Sequence, residues 1–216
     1  MFFSKSLYTY ALFTMIQLMI FIIAPNIPNS TGWENGPIEN TQVILLSAAA
    51  LWAFWCAHSA TTVRLKTLWI VVGVLWSVMA FRELSWGAAF HSPLTMDVEV
   101  GPQFSSSHQL WYKPAVAPVL ACIALLSAGA FYYSKQHHTF VELFRQSSLP
   151  ITELIIFCVL MISASAAEGH MGLNLGMNKG TAQVYEEAVE LLAYGALVLA
   201  QYRVMKGLSR IHTADV

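Results

Sequence analysis

The sequence has little charge, since Asp, Glu, Lys and Arg make up only 11% of its 216 residues. Soluble domains carry roughly 25% of such residues. This shortage, with 56% hydrophobic residues and a mean hydropathy of +0.56, excludes an ordinary water-soluble protein. The formal net charge of −1 and the lack of a dense basic patch argue against a nucleic-acid partner. The chain is therefore predicted to be an integral membrane protein.

Cysteine and recognisable catalytic motifs are also scarce. The three cysteines, Cys56, Cys122 and Cys158, all lie in apolar stretches, where cysteine usually acts as a small apolar side chain. They therefore indicate neither a disulfide framework nor a redox compartment. The sequence contains no Gly-x-Ser-x-Gly elbow, no phosphate-binding glycine loop and no His-Glu-x-x-His. Because none of these motifs is present, the sequence does not identify a substrate.

Long apolar stretches are abundant, and they predict six transmembrane helices in a single domain over residues 1–216. Each is close to the roughly 20 residues that a helix needs to cross a bilayer. They cover residues 7–24, 41–60, 67–84, 114–133, 150–167 and 184–204. The first stretch ends in Ala24-Pro25 and not in a small-residue cleavage site, which favours a retained helix over a signal peptide. The predicted fold class is an all-α membrane bundle.

Lys and Arg set the predicted orientation, because short loops rich in these residues stay in the cytoplasm. When the six predicted spans are threaded through the membrane in order, only Arg82, Lys113 and Lys179 fall on or near its outer side. The other eight fall on the opposite side: Lys5, Arg64, Lys66, Lys135, Arg145, Arg203, Lys206 and Arg210. Both termini are therefore predicted to be cytoplasmic, in a bacterial inner membrane. A belt of interfacial aromatic residues supports the outer boundary: Trp33, Trp86 and Trp111.

The acidic residues fall mainly on the outer side. Nine of the twelve Asp and Glu lie on or near that face: Glu34, Glu39, Glu83, Asp97, Glu99, Glu168, Glu186, Glu187 and Glu190. Four of them are interpreted as ordinary loop acids: Glu34, Glu39, Asp97 and Glu99. Ordinary topology does not explain another four, which lie at the ends of predicted spans together with Arg82 and His170: Glu83, Glu168, Glu187 and Glu190.

The start of the sixth span carries three acids within two helical turns. Glu187 and Glu190 are three residues apart, and Glu186 and Glu190 four apart, so they are neighbours on the helix surface. An acid in the first turn is stabilised by the helix dipole, which accounts for Glu186 and much of Glu187. Glu190 is surrounded by apolar residues, and an intramembrane charge usually marks a function or a partner.

Acids from other spans reach the same predicted depth. Glu83 ends span three, and Glu168 and His170 end span five; with Glu187 and Glu190 they form a predicted metal site. Carboxylate and imidazole ligands suit zinc, iron or manganese, so a divalent transition metal is the predicted cofactor. Alternatively, the Arg82 guanidinium bridges two of these carboxylates and makes a structural ion pair.

Two short motifs carry a resemblance. Residues 82–86 read Arg-Glu-Leu-Ser-Trp, and residues 186–190 read Glu-Glu-Ala-Val-Glu. They resemble stretches of the form Arg-Glu-x-[Asp/Ser]-aromatic and Glu-Glu-x-x-Glu in uncharacterised bacterial multi-pass membrane proteins. The resemblance implies that the two stretches act together, and it brings no activity with it.

The main functional hypothesis is a pocket near the periplasmic face that binds a metal ion or a cationic group, in an accessory subunit of a larger membrane complex. One alternative is an intramembrane enzyme in which Glu187 or Glu190 acts as general base on a lipid or another membrane-soluble substrate. A proton-coupled transporter, which would require a homodimer, is the other. The expected partners are membrane lipids, other membrane subunits or a second copy of the chain.

Overall fold

The computed structural model describes residues 2–169, 172 and 175–214, and this part of the chain is all-α. A small hairpin is formed by the strands β1 (Thr95–Asp97) and β2 (Gly101–Gln103). Short 3-10 turns cover Ala24–Asn26, Asn29–Thr31 and Ser85–Phe90. The α-helices are α1 (Phe2–Ile23), α2 (Pro37–Ser59), α3 (Val63–Glu83), α4 (Ser106–Gln109), α5 (Lys113–Tyr133), α6 (Gln136–Arg145), α7 (Ile151–Ala167) and α8 (Lys179–Ala214).

In the described part of the chain, five segments are long and apolar enough to cross a membrane: Ser6–Asn26, Pro37–Ser59, Val63–Glu83, Lys113–Tyr133 and Lys179–Arg210. The prediction of a helical, multi-pass membrane protein is thus supported. Helix α7 is apolar but shorter, with 17 residues, or about 26 Å at 1.5 Å per residue. The sixth span and the orientation of the termini stay predictions.

The chain divides into two compact units, of which the first comprises Met1–Thr41, Met96–Gln103 and Leu143–Val216. Its core lies where α1, α7 and α8 pack together. Helix α7 buries one side chain every four residues, at 156, 160 and 164, and α8 buries Val189, Ala193 and Ala196. Alanines at these positions let the helix backbones approach closely. The predicted single domain stays a prediction, since two such units can belong to one domain.

Helix α8 begins five residues earlier than the predicted sixth span. The side chain of Asn178 accepts a hydrogen bond from the backbone N–H of Thr181, at 2.8 Å. Asparagine at this position caps a helix, because its side chain satisfies one of the first N–H groups that have no partner within the helix. The cap therefore starts α8 at Lys179 and extends it beyond the apolar run.

The second unit comprises Gln42–Thr95 and Phe104–Glu142. Its α2 segment buries Leu46, Ala49, Ala50, Ala53 and Ala57, whose spacing of three and four residues places them on one helix face. Helix α3 approaches α2 at Gly73, where an added Cβ would lie 2.6 Å from the Phe54 ring. In contrast, α5 has no buried residue.

Candidate functional site

The outer end of α8, as the predicted topology orients it, borders an open cavity of about 680 Å³ in the first unit. Its walls come from the first turns of α8, the end of α7, the loop before α2 and the hairpin of β1 and β2. Of the residues that the structure describes, four acids line it, and Lys179 is the only Lys or Arg that does so. The four acids, Glu34, Glu168, Glu186 and Glu187, define what is here named the acidic cavity.

One face of α8 supplies much of the wall. Lys179, Ala182, Gln183 and Glu186 all line the acidic cavity, and their spacing of three, four and seven residues places them on one helix face. Because α8 begins at Lys179, its first turn contains no acid. Glu186 and Glu187 lie two turns inside, beyond the reach of the dipole at the helix end. The prediction that the helix dipole accounts for them is therefore wrong.

The opposite wall depends on a glycine. The Trp33 indole Nε1 donates a hydrogen bond to the Glu99 carbonyl oxygen, at 3.2 Å, and Glu34 follows Trp33 in the chain. Gly101 has a φ of 78°, and a Cβ there would lie 2.3 Å from the Trp33 ring. Only glycine fits both this backbone conformation and this close approach. The contact holds Val100, beside Gly101, in the wall of the cavity.

Asp97 fixes the turn of the same hairpin. Its Oδ1 accepts hydrogen bonds from the backbone N–H groups of Glu99, at 2.8 Å, and Val100, at 3.2 Å. These bonds favour the ionised carboxylate and lower the pKa of Asp97 below its ordinary value. The acid predicted to be an ordinary loop residue therefore has a structural contact next to the cavity wall.

Two carboxyl groups of the acidic cavity lie close together. Those of Glu168 and Glu186 are within hydrogen-bonding reach of each other, and Glu187 and Glu190 act electrostatically on Glu186. Two carboxylates at such a distance repel each other unless a proton or a cation lies between them. Gln183 adds an acceptor, because its Oε1 is buried and has no hydrogen-bond partner within the described residues. The arrangement presents several acceptors to a ligand that carries hydrogen-bond donors.

The predicted site residues have different positions in the structure. Glu168 and Glu187 line the acidic cavity. Glu190 does not line the cavity, but it interacts electrostatically with Glu186, which does. Glu83 is buried in the second unit. His170 lies outside the residues that the structure describes. Within the described ranges, no group of three or more His, Cys, Asp or Glu is arranged to hold a metal ion.

The predicted ion pair of Arg82 is local. Its Nε lies 3.4 Å from the Glu83 carboxylate, and both residues belong to the last turn of α3. The side chain of Arg82 is largely exposed. The observed pair therefore joins sequence neighbours within one helix, and a bridge from Arg82 to a second carboxylate stays a prediction.

Sequence reasoning assigned no site role to Glu34, Lys179 and Gln183. The predicted sixth span began at residue 184, so the helical spacing that joins Lys179 to Gln183 and Glu186 was not recognised. Asn178, a favoured capping residue, was the signal for the earlier start. Glu34 had no such signal, because its position depends on the contact between Trp33 and the hairpin.

An ion pair at the other end of α7 and α8 was also missed. Arg203 lies 2.7 Å from the Glu153 carboxylate, and their side chains are 27% and 4% exposed. The second Glu153 oxygen is buried and has no hydrogen-bond partner within the described part of the chain. The sequence offered a signal for this pair, because Glu153 lies in the first turn of predicted span five and Arg203 lies near the end of predicted span six. This pair connects the two helices near the predicted cytoplasmic boundary.

Comparisons with known proteins found no match for the chain. No protein-family model matches it, and neither does any curated protein or any solved structure. The chemistry of its own side chains is therefore the basis for assigning a function.

Proposed function

We propose that the acidic cavity binds a small organic cation that carries ammonium groups. The close approach of the Glu168 and Glu186 carboxyl groups is the observation that carries this proposal. An ammonium between them would replace their repulsion by charge-assisted hydrogen bonds. The cavity, of about 680 Å³, lies within the roughly 300–1,000 Å³ typical of small-molecule sites. Its size favours an organic molecule over a single metal ion.

The remaining acceptors suit the same ligand. An ammonium group has three donors, and two of them would be used by Glu168 and Glu186. The buried Oε1 of Gln183 lacks a partner within the described residues, and a bond to the third donor would remove the free-energy cost of burying it unpaired. Glu34 and Glu187 add negative charge around the same cavity. A ligand with two or more ammonium groups therefore fits best.

The metal version of the hypothesis stays a prediction. It assigns the ligands Glu83, Glu168, His170, Glu187 and Glu190 to one divalent transition metal ion. Glu168 and Glu187 line the cavity, which supports them as ligands of either kind of cation. Catalysis with Glu187 or Glu190 as general base stays a prediction, as does proton-coupled transport. The joint action of residues 82–86 and 186–190, implied by the resemblance, is likewise a proposal.

The proposal includes six spans, with both termini in the cytoplasm of a bacterium and the acidic cavity open to the periplasm. The 17 residues of α7 meet the lower limit of about 17–25 residues for a transmembrane helix. The bias of Lys and Arg toward one side supports the orientation. An odd number of spans would place the termini on opposite faces and count against it.

An accessory role is favoured by apolar side chains outside the spans of the second unit. Phe90 is 77% and Trp111 91% exposed, and Leu94 is exposed as well. They lie in the segment between α3 and α5, where apolar exposure often marks a protein interface. We infer that this segment contacts another membrane subunit. Purification in mild detergent tests this idea, and a chain that elutes only as a monomer contradicts it.

Calorimetric titration of the nanodisc-embedded protein with spermidine tests the proposed cation site. Glu186→Gln should weaken binding at least about tenfold, because a hydrogen bond to a charged group is worth about 1.5–3 kcal/mol. Glu99→Gln is the matched control, since Glu99 is an exposed acid of the same unit that does not line the cavity. Binding should also weaken as the pH falls, because protons compete with the ligand for the carboxylates.

Three results would contradict the assignment. The first is that spermidine fails to bind the wild-type protein, and the second is that Glu99→Gln weakens binding as much as Glu186→Gln does. The third is that zinc binds the wild-type protein and binds Glu186→Gln more weakly, while spermidine binds neither. That last result would support a cation site but overturn the preference for an organic ligand.

A further inference from the structure

A second cavity lies in the other unit, between α3 and α5, and its chemistry is the opposite of the first. Its volume is about 550 Å³. Its lining residues define what is named the apolar groove: Val74, Ser77, Val78, Phe81, Trp86, Tyr112, Ala115, Val116, Val119, Leu120 and Ile123. The hydroxyl of Ser77 donates to the Gly73 carbonyl oxygen, at 2.9 Å. Beyond the Trp86 and Tyr112 end, the groove therefore offers an almost purely hydrocarbon surface.

One end of the groove is built from aromatic residues and a lysine. The Tyr112 hydroxyl donates to the Trp86 carbonyl oxygen, at 2.7 Å. Lys113 Nζ lies 5.5 Å from the centroid of the Trp86 ring, within the range of a cation–π interaction. These contacts hold a positive charge beside the aromatic end of an apolar surface.

The length of the groove matches one leaflet. The lining residues run from Tyr112, which directly precedes α5, to Ile123 within α5, and these eleven steps correspond to about 16 Å at 1.5 Å per residue. The hydrocarbon core of a bilayer is roughly 30 Å thick, so one leaflet contributes about half of that. Trp and Tyr are enriched at the membrane surface. With Trp86 and Tyr112 at that level, the groove would extend from the interface to about the bilayer centre.

The described protein leaves this surface open. Helix α5 is a candidate membrane span and has no buried residue. Along the groove, Val119 stays 53% exposed. A molecule in the membrane can therefore cover the groove without displacing any side chain.

We propose that the apolar groove holds one acyl chain of an anionic glycerophospholipid, whose phosphate pairs with Lys113. Charge complementarity selects this occupant. Lys113 is positive, whereas Arg82, the other base at this end of the second unit, already pairs with Glu83. A zwitterionic lipid would bring its own ammonium near Lys113, so an anionic headgroup is preferred. Basic residues at the membrane surface each contribute about 1 kcal/mol to binding of anionic lipids.

Native mass spectrometry with added lipid tests the headgroup. Wild-type protein should retain phosphatidylglycerol about fivefold better than phosphatidylcholine of the same chain length, the ratio that about 1 kcal/mol gives. Lys113→Gln should abolish this preference, and Lys113→Arg should keep it. Lys66→Gln is the matched control, because Lys66 is exposed near the opposite end of α3. Equal retention of both lipids, or equal loss in Lys66→Gln, would overturn the proposal.

A second pair of variants tests the acyl-chain site. Ala115→Phe should fill the groove and reduce retention of both lipids severalfold. Ala124→Phe adds the same ring to an exposed position of α5 outside the groove and should leave retention unchanged. If Ala115→Phe instead dissociated a dimer and left lipid retention intact, a second copy of the chain would be the occupant and the proposal would fail.

Discussion

The two ends of the helix pair α7 and α8 place carboxylates in opposite electrostatic environments. Near the predicted cytoplasmic boundary, a single acid, Glu153, is almost fully buried and lies 2.7 Å from Arg203. At the other end, the acids Glu168, Glu186 and Glu187 line an open cavity, in which Lys179 is the only Lys or Arg among the described lining residues. The same two helices thus carry a paired charge at one end and an excess of negative charge at the other.

The difference separates a structural charge from a binding charge. A buried ion pair needs both members, because the loss of either leaves an uncompensated charge in a medium of low polarity. The crowded acids instead repel one another wherever neither a proton nor a cation lies between them. A cation from outside would remove that repulsion. Mutations at the two ends should therefore change stability with opposite signs.

The largest effect is expected at the buried pair. Glu153→Gln should lower the free energy of unfolding by about 3 kcal/mol, toward the lower end of the range for broken buried pairs, because Arg203 keeps partial exposure. Denaturant titration in detergent measures it. Glu142→Gln is the control, since its pair with Arg64 has a distance of 3.6 Å and is partly exposed, and such pairs contribute about 0–1 kcal/mol.

A double variant sharpens this prediction. Replacement of both Glu153 and Arg203 by methionine removes the charges together, and it should recover part of the loss. If Glu153→Gln were no more harmful than Glu142→Gln, the pair would not brace the helices and the contrast between the two ends would disappear.

A smaller effect of opposite sign is expected at the acidic cavity. Glu186→Gln replaces one of several crowded acids by a neutral group of the same size, so the ligand-free protein should be unchanged or more stable, by no more than about 1 kcal/mol. The same denaturant titration applies. A destabilisation as large as that of Glu153→Gln would mean that Glu186 has a structural role, and the cation hypothesis would lose its main support.

The smallest effect concerns the pH response of the hairpin beside the cavity. The folded pKa of Asp97 lies below its ordinary value of 3.8, because two backbone N–H groups hold the carboxylate. The stabilisation of the turn is therefore present above the ordinary pKa and is lost as the pH falls through the folded pKa.

NMR of protein with carbon-13-labelled aspartate carboxyl groups measures the pKa of Asp97. Only two signals are expected, since Asp215 is the only other aspartate in the sequence. Asp97→Asn assigns the two signals. We expect the Asp97 signal to titrate below 3.8; titration at or above that value would mean that the turn is not formed in solution.

Some of the site was predictable from local sequence and some was not. The acids of α8 were recognised because helical spacing follows directly from their positions in the chain. The start of α8 was placed too late because hydropathy alone does not detect a polar first turn, although Asn178 was available as a cap. Glu34 could not be assigned, because a loop residue reaches the cavity only through the packing of Trp33 against Gly101.

The sequence by itself determined the class of this protein and where its acids fall along the chain. Long apolar segments have few other stable environments than a bilayer, so membrane insertion follows from composition. Only the tertiary structure decided that Glu153 has a partner in Arg203 and that Glu168 meets Glu186. The reason is that the depth of a residue follows from its position along a helix, whereas lateral proximity depends on how α7 and α8 pack.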